Sequence, residues 1–284
     1  MTPVSLPCRA EARIPCPARG LALAVGTVTF LMLGGCAPAG SSDDPVTAPS
    51  PTISAPATRA PTGSGSSTSD APRPEPVELS AGDVRLAVSP PTGAAGSVAV
   101  APAEDGSARL TVDFSSVPTG TYPTATPTGP GALTVHTDGS LTVVGADGVT
   151  AAGGLARPDG GRWRTVDART AELVPTTAKA EGTVTTTLGT DGVESAVWGD
   201  REGGRSLAVD PTAWARSAGE AGVDVVWSEL VADDPDLDTA TMHDQLVCHA
   251  VGAPDKETWN LEPWRPDVGL LAVLAERCNP TEGS

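Results

Sequence analysis

Lysine is almost absent from this chain of 284 residues, which has only Lys179 and Lys256. Acidic residues number 35, and the formal net charge is -17. Such a chain repels polyanions and cannot assemble a basic patch from two lysines, so nucleic acid is excluded as a partner. Aromatic residues are equally scarce, at 3% of the sequence, while glycine and proline number 32 and 28. That balance excludes a packed core along the whole length. Histidine occurs three times, at His136, His243 and His249. There is no Gly-x-Ser-x-Gly elbow, no His-Glu-x-x-His, no P-loop, and no Gly-x-Gly-x-x-Gly after a clear strand. Most serine–histidine and metal-dependent designs therefore have little to work with, and no cofactor or metal is expected.

The N-terminus has the layout of an export signal. Arg9, Arg13 and Arg19 precede an apolar run from Gly20 to Leu33, which is short for a transmembrane helix. The run ends in Leu33-Gly34-Gly35-Cys36, an aliphatic residue and two small ones before a cysteine. This resembles a bacterial lipobox and implies cleavage after residue 35 and lipidation of Cys36. The acyl chains would anchor the protein to the outer face of the cell membrane. Residues 36–78 are then read as a disordered tether of proline, serine, threonine and alanine. Val46 and Ile53 are the only larger aliphatics between Ala37 and Pro76, too few to offset the entropy of ordering.

From residue 79 to 205 the sequence predicts a β-rich domain. Val84-Arg85-Leu86-Ala87-Val88 and Arg109-Leu110-Thr111-Val112 alternate in the strand period, and Asp-Gly pairs recur between such runs. The clearest unit is a hairpin from Leu133 to Val144 with Asp138-Gly139 at the bend. An antiparallel meander or small sandwich is expected. His136, beside that bend, has no partner nearby in sequence and reads as a surface strand residue.

Residues 206–280 predict a small α+β domain, followed by a tail at 281–284. The fold class is therefore mixed: an antiparallel β-rich middle region, then a disulfide-bonded α+β C-terminal domain. Asp210-Pro211 is a helix start, with the helix expected to stop at Gly222. Val223 to Leu230 reads as a strand. Asp233 to Asp238 is an acidic loop lacking the glycine turn of a calcium-binding loop. Asp238 or Thr239 can cap a helix from Thr239 to Val251. On that helix Met242, Leu246, His249 and Ala253 share one stripe, which makes His249 a structural residue. Asp244 lies about 140° from His249 around the helix, and His243 about 120° from it, so neither forms a direct pair with it. Val268 to Cys278 suits a last helix or a strand. Once Cys36 is acylated, Cys248 and Cys278 are the only thiols left in an exported chain, and they are expected to form a disulfide.

The loop Lys256 to Arg265 combines aromatics with charge. Trp259 and Trp264 could offer stacking faces, with Glu262 and Arg265 orienting a polar ligand. Alternatively both tryptophans fill the core and Glu262 pairs with Arg265. The motif residues Met242, Asp244-Gln245, Val247-Cys248-His249, Lys256, Trp259 to Pro263, Arg265-Pro266 and Cys278-Asn279-Pro280 resemble a family of exported actinobacterial proteins of unknown function. That resemblance implies an exported domain from about Ser206 to Pro280 and no catalytic residues. Two functions are carried forward. One is a non-catalytic lipoprotein binding an envelope protein, glycan or peptide through Trp259, Glu262, Trp264 and Arg265. The other is an envelope hydrolase using Asp244 or Glu262 with a histidine such as His249.

Overall fold

Alternating short apolar runs and turns become strands throughout the first half of the folded region. The computed structural model describes residues 73–177, 180–201 and 203–282. The export signal, Cys36 and the tether as far as residue 72 lie outside the described residues. The strands are β1 (Val77–Ala81), β2 (Val84–Ser89), β3 (Val98–Pro102), β4 (Ala108–Asp113), β5 (Thr124–Pro127), β6 (Ala132–Val135), β7 (Leu141–Val144), β8 (Ala151–Leu155), β9 (Gly161–Asp167), β10 (Thr170–Pro175) and β11 (Thr183–Gly189). Strand β1 takes in the last two residues of the expected tether.

These strands form two antiparallel sheets, ordered β1-β2-β5-β10-β9 and β3-β4-β11-β8-β7-β6. The period-two pattern fixes which faces meet. In β2, Val84, Leu86 and Val88 are buried, and in β4 Ala108, Leu110 and Val112 are buried, while Arg85 and Arg109 face out. The inner faces of both sheets share one core, centred on Leu79, Leu86, Leu110, Leu141, Leu173, Leu188 and Trp163. The expected β6–β7 hairpin is present, with Leu133 opposite Val143. Its bend is fixed by Asp138, whose Oδ1 accepts from the Ser140 backbone N–H at 2.8 Å, and by Gly139 at φ +88°.

A third sheet holds β12 (Val193–Arg201), β13 (Gly204–Pro211) and β14 (Trp259–Leu261), in that order. The boundary expected after residue 205 falls inside the β12–β13 hairpin. Of helices α1 (Ala213–Ser217), α2 (Glu220–Asp233), α3 (Ala240–Gly252) and α4 (Leu270–Ala275), α3 packs on β14 and α4 on α3, while α2 packs mainly on β8 and β7 of the second sheet, with α1 beside it. Among the described residues no helix is long and apolar enough to cross a membrane.

Two local expectations are corrected. The helix foreseen up to Gly222 breaks earlier, at Gly219 (φ +73°), and Val223–Leu230 is not a strand but the body of α2. The β-branched run Val223, Val225, Val226 suggests a strand in isolation. In the fold these side chains and Leu230 are buried in the second hydrophobic cluster, against β7 and β8, and that burial outweighs local propensity. Gly222 does not stop the helix. A side chain there would overlap the Ala215 carbonyl, so the glycine lets α1 and α2 approach. The same logic places Trp214 on β11, where its indole covers Gly189 and its Nε1 donates to the Thr187 carbonyl at 3.2 Å. Helix α3 forms as expected, with the Thr239 hydroxyl capping Met242 N. The final segment is a helix, and β14 interrupts the loop expected from Lys256 to Arg265.

Candidate functional site

The loop singled out from sequence is built into the domain rather than laid over it. Trp259, in β14, is opposite Val209 of β13 and is fully buried. Just beyond β14, Glu262 and Arg265 are both buried and joined by a charge-assisted hydrogen bond from Arg265 Nε to Glu262 Oε2. Arg265 also donates to the Pro280 carbonyl at 3.2 Å and to Asn279 Oδ1 at 3.1 Å. Of the four residues chosen for binding, only Trp264 is exposed, at 43%. Its ring lies over Gly204 and stacks on the Arg265 guanidinium, 4.5 Å from the ring centre.

Helix α3 holds the loop from the other side. The buried amide of Gln245 donates to the Glu262 carbonyl at 3.0 Å and accepts from Glu262 N at 2.9 Å. His249 Nε2 donates to the Asn260 carbonyl at 3.1 Å. Cys248 is bonded to Cys278, which brings Asn279 and Pro280 up to Arg265. Most of the motif residues thus hold one another in place. The hydrolase candidates do not converge. The single ring partner of His249 among the described residues is the Asn260 carbonyl, its Nδ1 is buried with no hydrogen-bond partner, and Glu262 is committed to Arg265.

Burial pushes the His249 pKa down to about 4, and the Lys256 charge adds to this, against the opposing hydrogen bond to Asn260. The imidazole is therefore neutral in the folded protein at neutral pH. Unfolded, it would titrate near 6.5. The unfolded chain thus binds more protons between about pH 6.5 and 4, and stability falls as pH drops through that window. The full loss is about 3 kcal/mol. Urea unfolding at a series of pH values should show this slope in the wild type and its absence in His249→Gln.

A second arrangement was not visible in sequence. His136, expected to be a surface residue, is tucked between the β6–β7 hairpin and α2. Its Nε2 is 3.1 Å from Asp224 Oδ2 and 2.7 Å from Thr142 Oγ1, and its Nδ1 is 3.5 Å from Glu220 Oε2. Thr142 itself donates to Asp224 Oδ2 at 2.8 Å. Burial disfavours the charged ring. The hydrogen bond to Asp224 and the charges of Asp224, Glu220 and Asp138 outweigh that, and the pKa is raised. Every carboxylate but Asp138 is more than 80 residues away in sequence, so no local signal could have found this cluster.

The cluster stands at one end of a groove of about 530 Å³. Helix α2 contributes Val223, α3 contributes Val247, Ala250 and Val251, and α4 contributes Leu270. Val251 is 70% exposed, an unusual position for a valine facing a concave surface. His243 lines the groove and is held edge-on against Trp227, with ring centres 4.9 Å apart. A mainly aliphatic cleft of this size with a few polar groups at one end has the character of a small-molecule site.

Residues 193–281 match the family described as "Protein of unknown function (DUF2599)". The matched stretch begins at the first residue of β12 and so takes in the third sheet and all four helices. An uncharacterized protein of Mycobacterium tuberculosis is 42% identical over 98 residues, covering 32% of this chain and 64% of that protein. A Mycobacterium bovis relative matches to the same extent. An uncharacterized Mycobacterium leprae protein is 37% identical over 81 residues, 27% of this chain and 60% of the relative. This chain therefore spans less than two thirds of the length of the relatives it matches. No solved structure matches. The groove residues from α1 to α4 fall inside the matched stretch, whereas His136 and Asp138 lie outside it.

Proposed function

We propose that this protein is an exported lipoprotein that binds a small, largely aliphatic ligand without transforming it, in the groove between α2, α3 and α4. The observation that carries the reading is the groove itself: an open, mainly apolar cavity whose walls are fixed by helices packed on a sheet and by a disulfide. Its lining includes no tryptophan, tyrosine or phenylalanine, and so lacks the flat faces on which sugars stack. That favours an aliphatic ligand over a glycan. The hydrolytic alternative loses support because Asp244, His249 and Glu262 do not form one site.

The membrane is the second partner in this reading, through the lipid on Cys36. Arg9, Arg13, Arg19, the apolar run and Leu33-Gly34-Gly35 support it. Detergent phase partitioning of cells expressing the wild type and Cys36→Ala tests the anchor. The wild type is expected in the detergent phase and the variant in the aqueous phase; two aqueous proteins would mean no anchor. For the groove, Ala250→Trp places an indole where the ligand would sit. It should abolish ligand uptake from an envelope lipid extract while leaving the circular dichroism spectrum unchanged. Equal uptake by the filled variant would remove the site.

A further inference from the structure

We infer that the ligand of this groove is a primary aliphatic amine, its hydrocarbon body on Val223, Val247 and Ala250 and its ammonium group against Glu220 and Asp224. The inference rests on the groove being the binding site, as proposed above, and adds the charge and chemistry of the ligand's head.

The charges around the groove decide the sign. Glu220 and Asp224 stand one turn apart on α2, so their carboxylates lie on the same face of the helix, with the single ring of His136 between them. They are partly open to solvent, at 47% and 38%. Asp138 adds a third carboxylate from the hairpin and also lines the groove. Besides the His243 ring, two cationic groups are at hand, and neither can receive an anion. His136 is already engaged by Asp224, Glu220 and Thr142. Arg216 lines the groove, but its five N–H donors are spent. Nε donates to the Pro211 carbonyl, Nη1 to those of Pro254 and Lys256, and Nη2 to Asp210 and the Glu257 carbonyl. A carboxylate or phosphate head would meet three acids against the His243 ring alone. An ammonium would add to His136 in balancing the three acids and form charge-assisted hydrogen bonds with the solvent-open parts of Glu220 and Asp224.

The lining also selects among cations. Quaternary ammonium groups are recognised by cages of aromatic rings. The groove offers only His243, and its ring is held by Trp227. A primary ammonium carries three N–H donors, which suits a site made of carboxylates. The aliphatic floor then favours a hydrocarbon chain behind the amine.

Isothermal titration calorimetry on the purified full-length protein at pH 7.5 and low salt tests this with three probes of one chain length: hexylammonium, hexanol and hexanoate. Hexylammonium should bind about tenfold tighter than hexanol, the range expected of one charge-assisted contact, and hexanoate more weakly than either. Raising the salt should narrow that gap. Glu220→Gln should bring hexylammonium close to hexanol. The probe series in the wild type decides the question even if that variant proves unstable. If hexanol binds as tightly as hexylammonium, the amine inference is overturned and the groove reading stands. If none of the three binds, or if hexylammonium binds Ala250→Trp as well as wild type, the groove reading falls and takes the inference with it.

Discussion

Arg265→Ala is expected to destabilise the fold by about 3–5 kcal/mol, the cost of leaving one member of a buried ion pair alone. Arg265 and Glu262 are almost fully buried, and Arg265 also ties down the Pro280 carbonyl and Asn279. Removing the guanidinium strands the Glu262 carboxylate in a site closed to water and frees the end of the chain. The effect belongs to the broken pair rather than to the pair as such. Replacing both residues with leucine should recover much of the loss, because a well-packed apolar substitute can equal a buried ion pair. Urea denaturation of the wild type, the single variant and the double variant checks this. A single variant within about 0.5 kcal/mol of wild type, the scale of ordinary surface substitutions, would show that the loop is not a structural tie.

Loss of the disulfide comes next in size. Cys248 and Cys278 close a loop of 30 positions between the last turn of α3 and the end of α4. In the chain-entropy account, opening it costs about 3–4 kcal/mol. The position adds to this, since Cys278 is followed directly by Asn279 and Pro280, the partners of Arg265. Cys278→Ser should therefore also loosen the Arg265 contacts. Because the two sites share partners, the combined Arg265→Ala and Cys278→Ser loss should be smaller than the separate losses added together. Thermal unfolding of the four proteins in the cycle measures that coupling. Simple additivity would mean that the tail is held without the disulfide.

What could be read from sequence was what period and chemistry fix locally. The alternation in Val84–Val88 and Arg109–Val112 set their buried faces, Asp138-Gly139 set a bend, Thr239 capped α3, and the two remaining cysteines paired. The helical period of α3 placed His249 on a buried stripe. What escaped depended on distant partners. Val223–Leu230 looks like a strand until β7 and β8 supply a surface for a helix to cover. His136 looks exposed until Glu220 and Asp224 arrive from α2. The loop from Lys256 to Arg265 has the composition of a binding surface, but Gln245 and the tail turn Glu262 and Arg265 inward. The groove comes from four helices and one hairpin, and no continuous motif records it.

The claim that binding resides in the groove while the 256–265 loop is scaffold is tested most directly by assigning amide resonances and titrating hexylammonium into the wild type and Trp264→Ala. Shifts are expected to cluster on Glu220–Asp224 of α2 and His243–Val251 of α3, with the same affinity in both proteins, and to vanish in Ala250→Trp. Shifts centred on Trp259–Arg265 and lost in Trp264→Ala would contradict the account and return the site to the loop.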